Sequence, residues 1–202
     1  MTECSEPSAS KYEQILRAAV EEFQENGFAD ARMDRISARA EVSKRTVYKY
    51  FESKDKLFRS IVDVFAARFS EVQDIRYDPD RPLRAQLVDL AWAEGRLLIA
   101  PDVIAMARMI ISETLRNPDL AEEANNKIDK TSVFTAMLRD ATQNGALAVD
   151  DPEDAAVAFI GLIKAKAFWP VMFGAPIVSA GEMEQIVQRS VDMMLSRYGV
   201  AP

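Results

Sequence analysis

The chain has 202 residues, 49% of them hydrophobic, enough for a sizeable buried core in one large or two small domains. Histidine is absent and Cys4 is the only cysteine, which excludes disulfide frameworks, cysteine metal clusters and Ser-His or Cys-His pairs, and points to a reducing compartment. The net charge of −7 is unusual for a partner of the phosphate backbone, so the distribution of charge along the chain carries the argument.

The opening Met1-Thr2-Glu3-Cys4-Ser5-Glu6-Pro7 is acidic and without an apolar run, and reads as a loose tail, not a signal peptide. Ser10-Lys11-Tyr12-Glu13 has the capping-box form, and Ile15, Leu16, Ala19, Val20 and Phe23 follow at helical spacing, which predicts a first helix over about 11–26. Gly27 is placed to end it in the left-handed conformation, with Phe28 packing back on the last turn. Asp30 is expected to cap a short second helix to about Ala40. Ser43 caps a short third, and Ser53 a fourth with Leu57, Phe58, Ile61, Val62, Phe65 and Phe69 on one stripe.

Beyond Tyr77-Asp78-Pro79-Asp80 the pattern changes to long helices. Pro82 opens one to about Ile99, Pro101 one to Arg116, Asn117-Pro118 one that Gly145 closes, and Asp151-Pro152 one to about 173. Ser179-Ala180-Gly181-Glu182 is a second capping box and starts a last helix to about Tyr198. The apolar stretch from Ala155 to Val178 holds Lys164 and Lys166, each costing roughly 2.5–3.5 kcal/mol at a bilayer centre, and is interrupted by Pro170 and Pro176, so it reads as a buried protein helix. No membrane association is expected.

Charge is concentrated between Arg32 and Arg59. That window holds nine basic residues (Arg32, Arg35, Arg39, Lys44, Arg45, Lys49, Lys54, Lys56, Arg59) against four acidic ones (Asp34, Glu41, Glu52, Asp55). Within it Ile36, Ala40, Val42, Val47 and Phe51 can hold two short helices together at a tight turn, leaving Lys44, Arg45, Thr46, Tyr48, Lys49 and Tyr50 largely outside. Such a helix is poor at burying a core and suited to a groove. Arg45 can contact guanine with both ends of its guanidinium, Thr46 can meet a base edge or a thymine methyl, and lysines and tyrosine hydroxyls can fasten phosphates. Lys54, at the start of the fourth helix, lies where free amides also favour a phosphate. Arg32 and Ser43 complete the candidate DNA-binding set. The competing readings are a solvated basic surface, with Tyr48 packed in the small core and Lys49 simply facing solvent.

Taken in order, Gly27-Phe28, Met33-Asp34-Arg35-Ile36, Val42-Ser43-Lys44, Tyr48 to Phe51, and Ser53 to Phe58 resemble the DNA-binding segment of the TetR/AcrR family, over about residues 10–60. The stretch from Arg108 to Leu120 is similar to AefR-like members. The resemblance implies an all-α chain of about nine helices: a three-helix DNA-binding domain with a helix-turn-helix over 10–56, and a helical ligand-binding and dimerisation domain over 57–202. It implies a cytoplasmic regulator with no enzymatic activity and no cofactor, a repressor released from a palindromic double-stranded DNA operator by a small, largely apolar effector.

A ligand cavity is expected among Trp92, Arg96, Met109, Glu113, Phe134, Met137 and Phe168, each of which can equally be ordinary core or surface. The last two helices are unusually apolar, and Phe159, Ile160, Leu162, Ile163, Val187, Val191 and Met194 are expected to form a homodimer interface, the alternative being an internal pair covered by the rest of the domain. Gly95 and Gly161 interrupt helices at a cost of about 1 kcal/mol each, which suggests close approach by another helix or a ligand. Three positions depart from the family's pattern: Glu41 stands where glycine is usual in the turn, Tyr50 where histidine is frequent, and Arg45 where the residue is often small. The alternative function is a helical ligand-binding or scaffold protein without specific DNA binding, and Glu41 is its best argument.

Overall fold

A computed structural model describes residues 10–70, 75–128 and 131–200, the side chains of 69 and 70 excepted, so Cys4, the acidic tail and the Phe69 side chain lie outside the described residues. Among the described residues the chain forms eleven helices: α1 (Lys11–Asp30), α2 (Met33–Arg39), α3 (Lys44–Tyr50), α4 (Lys54–Ser70), α5 (Leu83–Leu98), α6 (Pro101–Thr114), α7 (Pro118–Lys127), α8 (Ser132–Gln143), α9 (Pro152–Ala167), α10 (Trp169–Met172) and α11 (Ala180–Tyr198). The fold is all-α; the one β feature described is an isolated antiparallel bridge between Leu147 and Gly199.

Eleven helices replace the expected nine because two long ones are broken. The predicted 118–145 helix divides into α7 and α8 after the Asn125-Asn126 pair, residues that bond competitively to nearby backbone and weaken a helix. The predicted 152–173 helix stops at Phe168 (φ −109°, ψ −60°), two residues before Pro170, whose ring and missing N–H prevent the ladder from continuing.

Most expected caps form. Ser10 and Glu13 close a capping box on α1, Ser179 and Glu182 close one on α11, and Asp151 Oδ1 accepts from the amides of Glu153 and Asp154 at α9. Gly27 has a positive φ of 73° but an extended ψ of 162°, so it kinks α1 and the helix resumes to Asp30. Asp30 is therefore inside α1, and Arg32 holds the N-cap of α2 without a side-chain bond.

The chain divides into two compact units, the boundaries falling inside α4, inside α6 and at the end of α7. The first takes in the described residues up to Phe65 together with Ala105–Lys127; the second comprises Ala66–Ile104 and the described residues from Ile128 onward. In the first unit, Ile15, Ile36, Val47, Leu57 and Phe58 are fully buried, and the rings of Phe23, Phe28 and Phe58 stack edge to face or tilted at 5.4–6.3 Å.

In the second unit, α5, α8, α9 and α11 enclose a core that includes Leu87, Leu90, Met137, Leu138, Phe159 and Val187. Gly95 lets α5 approach α11, since a Cβ there would stand 3.1 Å from Met183 Cγ and Sδ. The residues expected at a dimer interface need correction: Phe159, Ile160, Ile163, Val187, Val191 and Met194 are buried within this unit, and Leu162 packs half-buried against them. The six buried side chains leave no appreciable surface for a second copy. One ion pair crosses this interior, Lys164 Nζ to Glu94 Oε1 at 3.0 Å.

Candidate nucleic-acid interface

The turn between α2 and α3 has a complete local hydrogen-bond pattern. Val42 N donates to Ser37 O (3.1 Å) and Glu41 N to Ala38 O (3.2 Å), the paired bonds of a Schellman motif, which require a left-handed residue between them. Glu41 supplies it, with φ 52°, as the only non-glycine with positive φ among the described residues. The expected glycine position is thus geometrically a glycine position, occupied by an exposed glutamate.

α3 starts at Ser43, whose Oγ accepts from Thr46 N (3.1 Å) and lies 2.8 Å from Thr46 Oγ1. Val47 is its single fully buried residue and pins it to the unit. Arg45, Tyr48, Lys49 and Tyr50 are exposed; the tyrosines keep about half their surface, 50% and 45%. Tyr50 is nevertheless oriented, by an edge contact with Tyr12 at 6.3 Å, and Tyr12 in turn packs on Phe51 at 5.3 Å. Lys44 Nζ meets Asp34 Oδ2 at 2.6 Å in an exposed pair of the kind worth about 0–1 kcal/mol, cheap to exchange for a phosphate. Arg32 is exposed beside the start of α2.

α2 is fastened to α1 by groups the sequence reading did not single out. Glu22 is fully buried; its Oε1 accepts from Arg32 N (3.4 Å) and faces Arg35 Nη1 (3.6 Å), while Oε2 faces Arg39 Nε (3.4 Å). Arg35 also donates to Asn26 Oδ1 (3.1 Å), and Arg39 is chelated by Glu25, whose carboxyl the hydrogen bond from Arg39 holds below the usual carboxylate range. The signal lay in spacing: Glu22 falls on the same helical stripe as Ile15, Ala18 and Ala19, where a charge demands a partner.

Lys54 is engaged differently from expectation. Its ammonium donates to Ala29 O (2.7 Å) and Ala31 O (3.2 Å) and sits 4.7 Å over the Phe28 ring, so it ties α4 to the end of α1. An ammonium with two carbonyls and an aromatic face is already solvated by protein.

The candidate ligand residues fall into both units. Met109 and Glu113 line a cavity within the first, beside Arg108. Phe134 and Met137 are buried in the core of the second, with Phe134 edge-on to Phe159 at 5.6 Å. Trp92 donates to Glu184 Oε2 (2.7 Å), Phe168 contacts Trp169, and Arg96 is exposed. Among the described residues no group of three or more acidic, cysteine or histidine side chains could hold a metal ion, and no helix is long and apolar enough to cross a membrane.

Two short helices joined by a Schellman turn, the second presenting cations and tyrosines outward, make the first unit a helix-turn-helix DNA-binding module. Residues 15–61 match the model of the tetR family of bacterial regulatory proteins, and residues 85–200 that of the AefR-like transcriptional repressor C-terminal domain. The chain belongs to the TetR family of DNA-binding transcriptional regulators. It is 32% identical to the regulator UidR of Escherichia coli over 143 residues, 67% of this chain and 68% of UidR. It is 39% identical to the repressor NicS of Pseudomonas putida over 82 residues, which span only 38% of NicS. A crystal structure of a TetR-family regulator from Pseudomonas syringae pv. tomato superposes with a TM-score of 0.84 at 34% identity, covering 97% of this chain and all of that one.

Proposed function

We propose that the chain is a homodimeric, effector-controlled repressor of the cytoplasm that binds a palindromic operator in double-stranded DNA and leaves it when a small, largely apolar molecule binds. Residues 10–56 read the DNA, and 57–202 carry dimerisation and, together with the end of α1, the response to the effector. The observation that supports this best is the outer face of α3, exposed and cationic at Arg45 and Lys49 on a helix that buries only Val47 fully. Arg45 and Thr46, in the first turn, read base edges. Arg32, Ser43, Lys44, Tyr48, Lys49 and Tyr50 hold phosphates, and Lys54 holds the unit together. No catalytic step is assigned.

Dimerisation uses the outward side of the last helices. Val157, Trp169, Phe173 and Met193 are large apolar side chains left exposed there, Phe173 at 88%. Gly161, one turn after Val157, has no neighbour within 4 Å of where a Cβ would stand. A glycine costing about 1 kcal/mol in a helix, with nothing of its own chain against it, suits the close approach of a partner helix. A two-fold pair then places its recognition helices about 34–36 Å apart, one DNA turn, and an effector weakens binding by favouring a shape with another separation.

The test is fluorescence anisotropy with DNA from the chain's own upstream region, across a salt series and single-base changes. Arg45→Ala should cost about 1–3 kcal/mol and relax preference at one position, and Lys49→Ala should reduce the salt slope by about one unit. Binding indifferent to base sequence, or unaltered by both changes, would sink the repressor reading. Phe173→Asp should convert the dimer to a folded monomer in sedimentation; a wild type that is monomeric at micromolar concentration would remove the proposed interface.

A further inference from the structure

A cavity of about 570 Å³ lies within the first unit, between the last turns of α1 and the C-terminal half of α6, in the size range of small-molecule sites. Its apolar part is Phe23 and Met109, both buried, with half-buried Phe28. Its α6 wall carries Arg108, Ser112 and Arg116, four residues apart and so on one face of the helix and its continuation. Arg116 makes no side-chain hydrogen bond or ion pair among the described residues. Its Nη1 lies over bare backbone, 3.4 Å from where a Cβ at Gly27 would stand. Of the two acidic side chains that line the cavity, Glu25 is already taken up by Arg39, which leaves Glu113 against Arg108 and Arg116 and a lining that is positive on balance. A free guanidinium and a second arginine above an aromatic and thioether floor match an anion on an apolar body, because a planar guanidinium binds a carboxylate through two parallel bonds.

We infer that this cavity is an effector site for a small organic carboxylate, its acid group on Arg116 and Arg108 and its hydrocarbon or aromatic body on Phe23, Phe28 and Met109. The opposite wall gives the site its readout. Glu25 and Asn26 line the cavity and are also the side chains that hold Arg39 and Arg35 of α2. A ligand that shifts the end of α1 therefore acts on the contacts that orient the helix-turn-helix, without a relay through distant packing. The inference rests on the repressor reading for its effect on DNA, but not for binding itself.

The experiment uses the full chain with 3-phenylpropionate and benzoate as probes, 3-phenylpropanamide as the neutral counterpart and inorganic phosphate as the bare anion. Calorimetry without DNA should detect at least one carboxylate, and neither the amide nor phosphate. Arg116→Ala, which removes the free cation, and Ser112→Trp, which fills the cavity, should each abolish that signal. With operator present, the binding acid should weaken wild-type affinity by a factor of about 5–150, the usual span of such couplings, and should not do so in Arg116→Ala. Absence of binding by both acids, equal binding of the amide, or binding that survives both substitutions would overturn the site. Acid binding that leaves operator affinity unchanged would overturn its effector role. Failure of the chain to bind DNA at all would instead sink the repressor reading, leaving the calorimetric arm to decide the site.

Discussion

Among the described residues the two units each bury one glutamate, and they neutralise it in different ways. Glu94 in the second unit is met by Lys164, itself mostly enclosed, with side-chain exposures of 4% and 18%. Glu22 in the first unit is met by Arg35 and Arg39, whose side chains remain 52% and 31% exposed. One carboxylate joins two helices of an interior; the other reaches outward to hold a surface element that must meet a ligand as large as DNA. A buried anion can thus serve as packing or as an anchor, depending on whether its counter-charge lies in the core or on the working face.

Breaking the interior pair should have the largest effect. Lys164→Met leaves Glu94 enclosed without a counter-charge and should cost about 3–5 kcal/mol, read as a lowered urea midpoint, while adding Glu94→Leu should restore most of it. A loss below about 1 kcal/mol would show that water reaches the pair. Glu22→Gln keeps the shape and removes the charge, and should cost about 1.5–3 kcal/mol, the worth of hydrogen bonds to a charged group. The sharper contrast is in function. Glu22→Gln should also weaken operator binding by freeing α2, whereas the restored Glu94→Leu, Lys164→Met variant should bind operator as wild type does. Equal operator affinity in both would erase the distinction between anchor and packing.

Lys54→Ala extends the comparison from anion to cation. Its two carbonyl bonds and the Phe28 ring predict a stability loss of about 1–2 kcal/mol with an unchanged salt slope for DNA, the reverse of Lys49→Ala. A slope reduced by one unit in Lys54→Ala would return this lysine to the phosphate backbone.

Local signals made the helix-turn-helix legible. Ser10, Ser43, Ser53 and Ser179 cap where their hydroxyls predict, and the apolar spacing places Ile36, Val47 and Phe51 inside. What stayed hidden depends on partners far along the chain. Helical periodicity marks Phe159, Ile163, Val187 and Val191 as apolar, but it cannot say whether α5 and α8 or a second copy covers them; in the chain their own unit does. Lys54 looks like any basic residue at a helix start until the fold brings the carbonyls of Ala29 and Ala31 to it. The α1 to α6 cavity joins residues about eighty positions apart, and no local pattern announces it.

The smallest expected effect tests the turn between α2 and α3. Glu41 holds φ 52° with an exposed side chain, and a left-handed L-residue costs about 1–2 kcal/mol because Cβ crowds the following carbonyl. Glycine removes that crowding but frees the unfolded chain, returning about 0.5–1 kcal/mol of the gain. Glu41→Gly should therefore stabilise the protein by roughly 0.5–1 kcal/mol, and Glu41→Val, with a branched Cβ in the same conformation, should destabilise it. Both are read from denaturant midpoints at constant slope. The glycine variant also loses a negative charge beside the recognition helix, so nonspecific DNA binding should strengthen slightly at low salt and converge with wild type at high salt, where screening removes the difference. A glycine variant less stable than wild type would mean that the glutamate makes a compensating contact, and that the turn is matched to this residue and not strained by it.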